Sequence, residues 1–228
     1  MNERLSQTQA MLKKHHRDGP AFAKLMEESF AGRFGEEFWE MWDKNIAPTL
    51  SPNSTVVDLG TGPASFPKAL AGKYPEMNIY GVEAATYMVE AAGELPSNVE
   101  IVVADLHDPH LSFADGSIDV AVASVVVHEM LQPVRMFQEI KRILRQGGIF
   151  YVYDWVRVPL SQYLAKNEFY PFDGTHSVDE LDDLFVHFIE HNRFSFEDLK
   201  YLLTSAQFKI LDTGNKNNGQ HAWVLAKS

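Results

Sequence analysis

Apolar and polar positions along the chain change their spacing after about residue 50. In the first fifty residues, apolar side chains such as Phe22, Leu25, Met26 and Phe30 recur every three or four positions, which is the period of an amphipathic helix. A cluster of helix breakers over 48–52 closes this part of the chain. The pattern therefore predicts an N-terminal helical segment, followed by a core with a different construction.

From residue 55, short β-branched runs alternate with amphipathic stretches. We predict strands over 55–59, 79–82, 99–103, 118–123 and 149–153, and helices over 65–73, 86–92 and 134–144. Further on, the pattern predicts a helix over 196–205 and strands over 209–212 and 222–226. Alternation with short connections favours a mostly parallel sheet that is covered on both faces. The predicted fold class is a doubly wound α/β domain.

The segment 155–193 is too long for an ordinary connection between a strand and a helix. Such a connection usually has roughly 2 to 6 residues. It is rich in aromatic side chains and includes an acidic stretch over 178–191 that predicts a helix. We interpret the segment as a helical insertion that, with the helices of 1–50, forms a lid over the carboxyl ends of the strands. The alternative is a packed helical layer without ligand contacts. One domain over 1–228 would then comprise a helical cap (1–50), a core (51–154), a lid (155–193) and a closing segment (194–228).

The amino-acid composition excludes several kinds of partner and site. The 228 residues include 20 basic and 31 acidic ones, and the net charge of −11 disfavours nucleic acid as a partner. The chain has no cysteine, which excludes disulfides and thiolate metal sites. The first twenty residues are polar and no apolar run is long enough to span a bilayer, so we expect a cytoplasmic protein that is not in a membrane. Whether it is a monomer or a homodimer stays open.

The candidate ligand site begins where the first predicted strand ends. Asp58 closes a β-branched run and is followed by a turn that contains Gly60 and Gly62, which permit backbone angles and a close ligand approach that a Cβ would block. A dinucleotide-binding motif would need a third glycine at position 65, where Ser65 stands, and Pro63 lacks an amide that could face a phosphate. The turn therefore disfavours NAD and FAD.

The same turn resembles motif I of the class I S-adenosylmethionine-dependent methyltransferases, (D/E)xGxGxG. Asp58, Gly60 and Gly62 match it, and Ala64 replaces the last glycine. The segment 144–149 is similar to the helix-to-strand turn LxPGG of that family, with Gln146 in place of proline. The resemblance implies a seven-stranded sheet with one antiparallel strand near its end. It also implies an enzyme that binds S-adenosyl-L-methionine and transfers its methyl group by direct displacement, here to a small molecule.

Acids at the ends of the next strands fit this resemblance. Glu83 is expected to bind the ribose hydroxyls, with a solvated glutamate as the alternative. Asp105 is expected to accept the adenine amino hydrogen beside the Leu106 amide, with a role in capping its own turn as the alternative. The full set of expected cofactor-binding residues is Asp58, Gly60, Thr61, Gly62, Glu83, Ala84, Met88, Asp105, Leu106 and Ser124.

His128 follows the fourth strand and is the candidate catalytic residue, since an imidazole can take a proton from the attacking atom of the acceptor. The alternative is a histidine that packs beside the cofactor or holds the acceptor without moving a proton. Methyl transfer depends mainly on in-line positioning, so a base is not obligatory. The expected substrate-binding residues are Asp154, Trp155, Tyr170 and His176.

Two histidine pairs are candidate metal ligands. His187 and His191 match the HxxEH pattern of a family of zinc enzymes, and His15 and His16 are adjacent at the end of a predicted helix. The first pattern is short, and neighbouring residues do not share a helix face, so we expect no metal and a solvated surface for His15 and His16. Two other functions stay open: a different adenosyl-cofactor enzyme, and a non-catalytic cofactor-binding subunit.

Overall fold

The computed structural model describes residues 3–165 and 174–228. The helices there are α1 (Glu3–His16), α2 (Gly19–Glu28), α3 (Phe30–Arg33), α4 (Glu36–Asn45), α5 (Ser65–Lys73), α6 (Thr86–Ala91), α7 (Val134–Ile143), α8 (Leu160–Leu164), α9 (Val178–His191) and α10 (Phe196–Ser205). The strands are β1 (Thr55–Leu59), β2 (Asn78–Glu83), β3 (Val99–Val103), β4 (Ile118–Ser124), β5 (Leu144–Trp155), β6 (Lys209–Lys216) and β7 (His221–Lys227). None of the described helices combines the length and the apolar composition needed to cross a membrane.

The seven strands form one sheet in the order β3-β2-β1-β4-β5-β7-β6. The first five run parallel, whereas β7 is antiparallel to both β5 and β6. The predicted mostly parallel sheet with an antiparallel strand near its end is therefore confirmed. Since the strand order reverses between β1 and β4, a crevice opens beyond the carboxyl ends of these two strands, where doubly wound folds bind their ligands.

Helices cover both faces of the sheet and form an apolar layer on each. Alternate side chains of β5 pack into these two layers. Phe150 and Val152 pack into one layer, which includes Phe137 of α7. Tyr151 and Tyr153 point into the other layer, which includes Trp42 of α4. Trp42 is completely buried. The helix α4 is thus part of the core, while α1 and α2 lie at the carboxyl edge of the strands, where their residues line the cavities described below.

Two predicted boundaries differ from the observed ones by more than two residues. The strand β5 begins at Leu144 rather than at 149, because Leu144 already pairs with Ile118 of β4 before the register shifts. The strand β6 continues past 212 to Lys216, where the hairpin with β7 extends its pairing up to His221. Both differences come from pairing with a distant strand, which the local pattern does not contain.

Candidate active site

The turn after β1 bends the chain back across the edge of the sheet. Gly60 and Gly62 have φ values of +65° and +56°, in the left-handed region that glycine adopts without strain. A Cβ on Gly60 would lie 2.6 Å from Cγ2 of Val126, so the close approach of this neighbouring loop also requires glycine. The backbone amide of Gly62 donates a hydrogen bond of 2.9 Å to Oε2 of Glu83. The turn is therefore fixed to the end of β2.

Ala64, which stands where the motif that this turn resembles has its last glycine, adopts a backbone conformation that favours glycine. Its φ of 57° lies in the left-handed region, and its side chain is completely buried at the start of α5. An L-residue there is less favourable than glycine by roughly 1–2 kcal/mol. Alanine at this position therefore introduces local strain.

Asp58 is buried below this turn, with 4% of its surface exposed. Its Oδ2 accepts a hydrogen bond of 2.7 Å from the Thr61 hydroxyl. Burial raises the pKa of the Asp58 carboxyl to about 7, although the Thr61 hydrogen bond and the nearby Arg33 oppose the shift. A cation that binds next to Asp58 would favour the ionised form and lower this pKa.

Glu83 is not the solvated glutamate of the alternative interpretation, since only 7% of its surface is exposed. Its Oε1 accepts hydrogen bonds of 2.8 Å from the amides of Ala84 and Ala85, and its Oε2 accepts the Gly62 amide. Burial raises the pKa of Glu83, and these amides oppose the rise. Three donors leave part of the acceptor capacity of the carboxylate for a ligand. The expected ribose contact stays a prediction.

Asp105 has the turn-capping role that was its alternative. Its Oδ1 accepts a hydrogen bond of 2.9 Å from the amide of His107, two residues ahead, and lies 3.2 Å from Nδ1 of the same residue. This is the Asx-type contact that short polar side chains make in turns. Whether Asp105 also accepts a hydrogen bond from adenine stays a prediction.

A cavity that we call the main cleft lies above the glycine turn and is open to solvent at its mouth. Eight of the ten expected cofactor-binding residues line it: Gly60, Thr61, Gly62, Glu83, Ala84, Met88, Leu106 and Ser124. Asp58 lines a smaller cavity that continues from the same turn. The structure thus brings together residues that are up to 66 positions apart in the sequence (124 − 58).

Arg33 is a site residue that the sequence analysis missed. It lies at the end of α3 and lines both the main cleft and the smaller cavity beside Asp58. Its Nη2 donates to the Met26 carbonyl at 2.9 Å, and its Nη1 donates to the Ser124 hydroxyl at 3.4 Å. Its Nε is buried without a hydrogen-bond partner among the described residues. A buried guanidinium N–H without a partner is costly, so this nitrogen has a free hydrogen-bond donor.

His128 and Asp154 form a buried pair beside the main cleft. Nδ1 of His128 lies 2.6 Å from Oδ1 of Asp154, and the two residues are 3% and 1% exposed. Burial alone would lower the pKa of His128, but attraction and hydrogen bonding to Asp154 outweigh it and raise the pKa. Since Nδ1 faces the carboxylate, Nε2 is the nitrogen that remains for an acceptor.

The expected substrate contact of Asp154 does not fit its environment. Oδ2 accepts the amides of Val126 and Val127 at 3.0 and 2.6 Å, and Oδ1 accepts the amide of Trp155 at 2.7 Å as well as facing His128. Both oxygens are therefore used inside the protein. Asp154 holds the loop after β4 and orients the imidazole, because its position at the end of β5 lies directly beside that loop.

A second cavity, the histidine chamber, adjoins the main cleft on the side of His128. It is lined mainly by α1, α2, the loop after β4 and α9, through His15, His16, Arg17, Phe22, Leu25, Met26, Val125, His128, Glu129, Trp155, His187 and His191. Trp155 stacks on His191 with ring centroids 4.6 Å apart. Burial, followed by the neighbouring imidazoles, lowers the pKa of His191 to about 3. His176 does not line this chamber, and Tyr170 lies outside the described residues.

The expectation of a solvated His15–His16 pair is wrong for His16. This side chain is 9% exposed and stacks on Phe22, with ring centroids 3.8 Å apart. It also contacts the Tyr87 hydroxyl and Glu129. The helix α1 ends at His16, and Arg17 turns the chain in the left-handed region. The docking of this helix end on the loop after β4 is a tertiary contact that helical periodicity does not reveal.

Comparison with known proteins finds methyltransferases. Residues 57–152 match the family model described as "Methyltransferase domain". The chain is 29% identical over 175 residues to an arsenite methyltransferase of Halobacterium salinarum, covering 74% of this chain and 40% of the relative. It is 34% identical over 108 residues to a 2-methyl-6-phytyl-1,4-hydroquinone methyltransferase of Synechocystis, covering 47% and 34%.

Among solved structures, the fold is similar to that of a SAM-dependent methyltransferase from Aquifex aeolicus, with a TM-score of 0.63, 17% identity and coverage of 91% of this chain and 97% of that chain. The chain spans less than half the length of the curated relatives it matches. The matched segment includes the glycine turn, Glu83 and His128, which are the residues around which the two cavities are built. Residues 57–152 therefore match a methyltransferase domain, and the fold over most of the chain is similar to that of a solved SAM-dependent methyltransferase.

Proposed function

We propose that the protein transfers the methyl group of S-adenosylmethionine to a small-molecule acceptor that binds in the histidine chamber. The observation that carries this proposal is the connection between the two cavities. His16, Phe22, Met26, Val125 and Glu129 line both of them. A methyl donor in the main cleft would therefore lie next to an acceptor beside His128.

The main cleft suits the two ends of S-adenosylmethionine. The buried carboxylate of Asp58 favours the ammonium group of its methionine part, and the unpartnered Nε of Arg33 favours the carboxylate. At the other end, Glu83 and Met88 are available to the ribose and the adenosine. The charges of the site thus match those of the cofactor, with a carboxylate for its ammonium group and a guanidinium for its carboxylate.

Val125 supports the assignment of the reacting region. It is a β-branched residue with a φ of 60°, an uncommon conformation that costs about 1–3 kcal/mol and is concentrated at functional sites. A hydrogen bond of 2.8 Å from its amide to the Tyr153 carbonyl holds it in place. Val125 lines both cavities, so its conformation shapes the boundary between them.

When bound, S-adenosylmethionine would supply a methyl group on its sulfonium, and the methyl–sulfur bond would break with S-adenosylhomocysteine as the neutral leaving group. The histidine chamber orients the acceptor so that its nucleophilic atom lies in line with the breaking bond. His128 takes the proton that the acceptor loses, at Nε2, and Asp154 stabilises the resulting imidazolium. The alternative role for His128, holding the acceptor by a hydrogen bond, does not require this proton transfer.

A small acceptor fits the chamber better than a polymer does. The chamber is walled by aromatic and imidazole side chains, and the chain carries a net charge of −11, which opposes binding of a nucleic acid. The two relatives named above act on arsenite and on a hydroquinone according to their names, so they do not agree on an acceptor. This chain has no cysteine and offers no thiolate to arsenic. A neutral or cationic organic acceptor is the proposed class.

Calorimetric titration with S-adenosylhomocysteine tests the cofactor part of the proposal. We expect saturable micromolar binding, no binding of NAD, and at least tenfold weaker binding in Glu83→Ala. Glu100→Ala is the matched control, because Glu100 is exposed on β3 away from the cleft. Failure of the folded wild-type protein to bind S-adenosylhomocysteine would contradict the proposal.

The remaining functions differ in their products. A screen of small acceptors in which the product mass increases by one methylene unit supports methyl transfer, and a larger added group indicates a different adenosyl-cofactor enzyme. Cofactor binding without turnover, in a protein that becomes active only with a second subunit, would indicate a partner role. His128→Ala serves as the control for chemistry in each assay.

A further inference from the structure

Three metal-ligating side chains converge where α1 meets the loop after β4. His15, His16 and Glu129 each offer one ligand atom, and these atoms lie within 4.8 Å of one another. The three residues come from two segments that are more than 110 positions apart, so the cluster is not a by-product of one helix face. It forms part of the wall of the histidine chamber.

The distances are close to those of a coordination sphere. Nitrogen and oxygen ligands lie about 2.0–2.2 Å from a zinc ion, which places two ligands of a tetrahedron roughly 3.4 Å apart. Nε2 of His16 lies 3.3 Å from Oε1 of Glu129. This pair already has the required spacing, and the ligand atom of His15 lies within 4.8 Å of the other two ligand atoms.

Each imidazole also has a polar neighbour at Nδ1. Nδ1 of His16 contacts the Tyr87 hydroxyl, and Nδ1 of His15 lies 3.0 Å from Oε2 of Glu190 on α9. Metal-binding histidines almost always have such a partner on the nitrogen that does not bind the metal, because it fixes the ring and raises its basicity. In both residues the arrangement leaves Nε2 for the ion.

We propose that His15, His16 and Glu129 bind one divalent transition-metal ion that prefers imidazole ligands, such as Zn²⁺. Two histidines and one carboxylate are a ligand set that such ions accept, and three protein ligands leave a further position for a water or an oxygen or nitrogen atom of a ligand in the chamber. The site itself does not depend on methyl transfer. A role of the ion in holding the acceptor rests on the proposed function.

The proposed site differs from the HxxEH pattern on α9. His187 contacts the Asp183 carbonyl through Nδ1, and His191 contacts the Tyr163 hydroxyl through Nδ1. Neither belongs to the converging set among the described residues. Glu190 of the same pattern takes part only as the partner of His15.

The test is metal titration of protein that has been treated with a chelator and dialysed. We expect one Zn²⁺ per chain by calorimetry, and a Co²⁺ complex with the visible absorption of a four- or five-coordinate ion. His15→Ala, His15→Gln and Glu129→Gln should each weaken Zn²⁺ binding at least tenfold. His110→Ala is the matched control, since His110 is exposed outside the chamber. The affinity of this variant for Zn²⁺ should equal that of the wild type.

Each variant is also titrated with S-adenosylhomocysteine and checked by circular dichroism, which separates this inference from the proposed function. Wild-type protein that binds S-adenosylhomocysteine but no Zn²⁺ would overturn the metal site alone. The metal site is likewise overturned if Zn²⁺ binding survives in the His15 and Glu129 variants and is lost in His187→Ala or His191→Ala. Loss in the His15 and Glu129 variants, with retained secondary structure, establishes the site.

Discussion

Nδ1 of His128 and Oδ1 of Asp154 lie 2.6 Å apart and join the loop after β4 to the end of β5. The contact fixes which nitrogen of the imidazole is available, because Nδ1 is held by the carboxylate. The same carboxylate also holds the loop in place, because its other oxygen accepts hydrogen bonds from the amides of Val126 and Val127. A single carboxylate therefore sets both the position and the basicity of His128.

Asp154→Asn should lower the pKa of His128 and reduce turnover. The raised pKa of His128 depends on attraction to the carboxylate, which overcomes the effect of burial. Without that charge, burial dominates, so the rising limb of the pH–rate profile should move to lower pH. We expect kcat to fall about a hundredfold, at the lower end of what a general base contributes. The measurement is kcat as a function of pH in both proteins.

Asp119→Asn is the control for this experiment. Asp119 accepts the Thr55 amide and pairs with Arg145 near the start of β4, at the opposite end of the strand from His128. Its loss should affect stability and leave the pH profile unchanged. A profile that keeps its midpoint in Asp154→Asn would show that His128 does not titrate during turnover, in agreement with the alternative that it only holds the acceptor.

Arg33→Ala should weaken the binding of one end of the cofactor selectively. If Arg33 binds the methionine carboxylate, its loss removes a charged hydrogen bond worth roughly 1.5–3 kcal/mol, which corresponds to at least a tenfold change in affinity. The affinity of Arg33→Ala for S-adenosylhomocysteine, measured by calorimetry, should fall by this factor. Methylthioadenosine lacks the amino-acid part, so its affinity for Arg33→Ala should equal its affinity for the wild type. Glu83→Ala, in contrast, should weaken both ligands.

Arg135→Ala is the matched variant for Arg33→Ala, since Arg135 lies on α7 and pairs with Asp108 at the surface. It should bind both ligands normally. Equal losses for S-adenosylhomocysteine and methylthioadenosine in Arg33→Ala would indicate a collapse of the cleft and contradict the assignment of the methionine end.

Asp58→Asn should stabilise the free protein more at high pH than at low pH. Burial raises the pKa of Asp58 to about 7, so folding favours its neutral form. The stabilisation is complete below the unfolded pKa of about 4 and is lost as the pH rises through 7. Between pH 5 and pH 8, the difference in unfolding free energy between Asp58→Asn and the wild type should grow by about 2–3 kcal/mol. Urea unfolding at both pH values measures it.

The same group predicts a proton released on cofactor binding. An ammonium next to Asp58 favours the carboxylate, so binding of S-adenosylhomocysteine at pH 6 should release protons in the wild type and fewer in Asp58→Asn. Calorimetry in two buffers of different ionisation enthalpy gives this number. A stability difference that is independent of pH, together with no proton release, would contradict the raised pKa.

Much of the main cleft was predictable because its residues follow the ends of strands that have a clear apolar pattern. The glycine turn, Glu83 and Met88 are located by short local sequences, and the parallel sheet brings these segments together at one edge. The fold class and the order of elements through β5 were predictable for the same reason. Local patterns are sufficient where one residue's position is determined by the strand that precedes it.

The residues that were missed depend on how separate elements dock. Arg33 and His16 lie on short N-terminal helices, and nothing in their local sequence tells which part of the sheet edge they contact. The side chain of Asp154 is expected to face an acceptor because the sequence places it at a strand end. Its burial comes from the amides of the neighbouring loop, which only the folded chain brings into reach.

Ala64→Gly should stabilise the protein. Ala64 has a φ of 57°, so glycine removes a conformational penalty of roughly 1–2 kcal/mol, whereas the greater freedom of glycine in the unfolded chain costs about 0.4–1 kcal/mol. We expect a net gain of about 0.5–1 kcal/mol in the free energy of unfolding. Ala71→Gly is the control, because Ala71 lies inside α5, where glycine should destabilise by about 1 kcal/mol. Equal destabilisation of both variants in urea unfolding would mean that the buried methyl group of Ala64 contributes more packing energy than its backbone conformation costs.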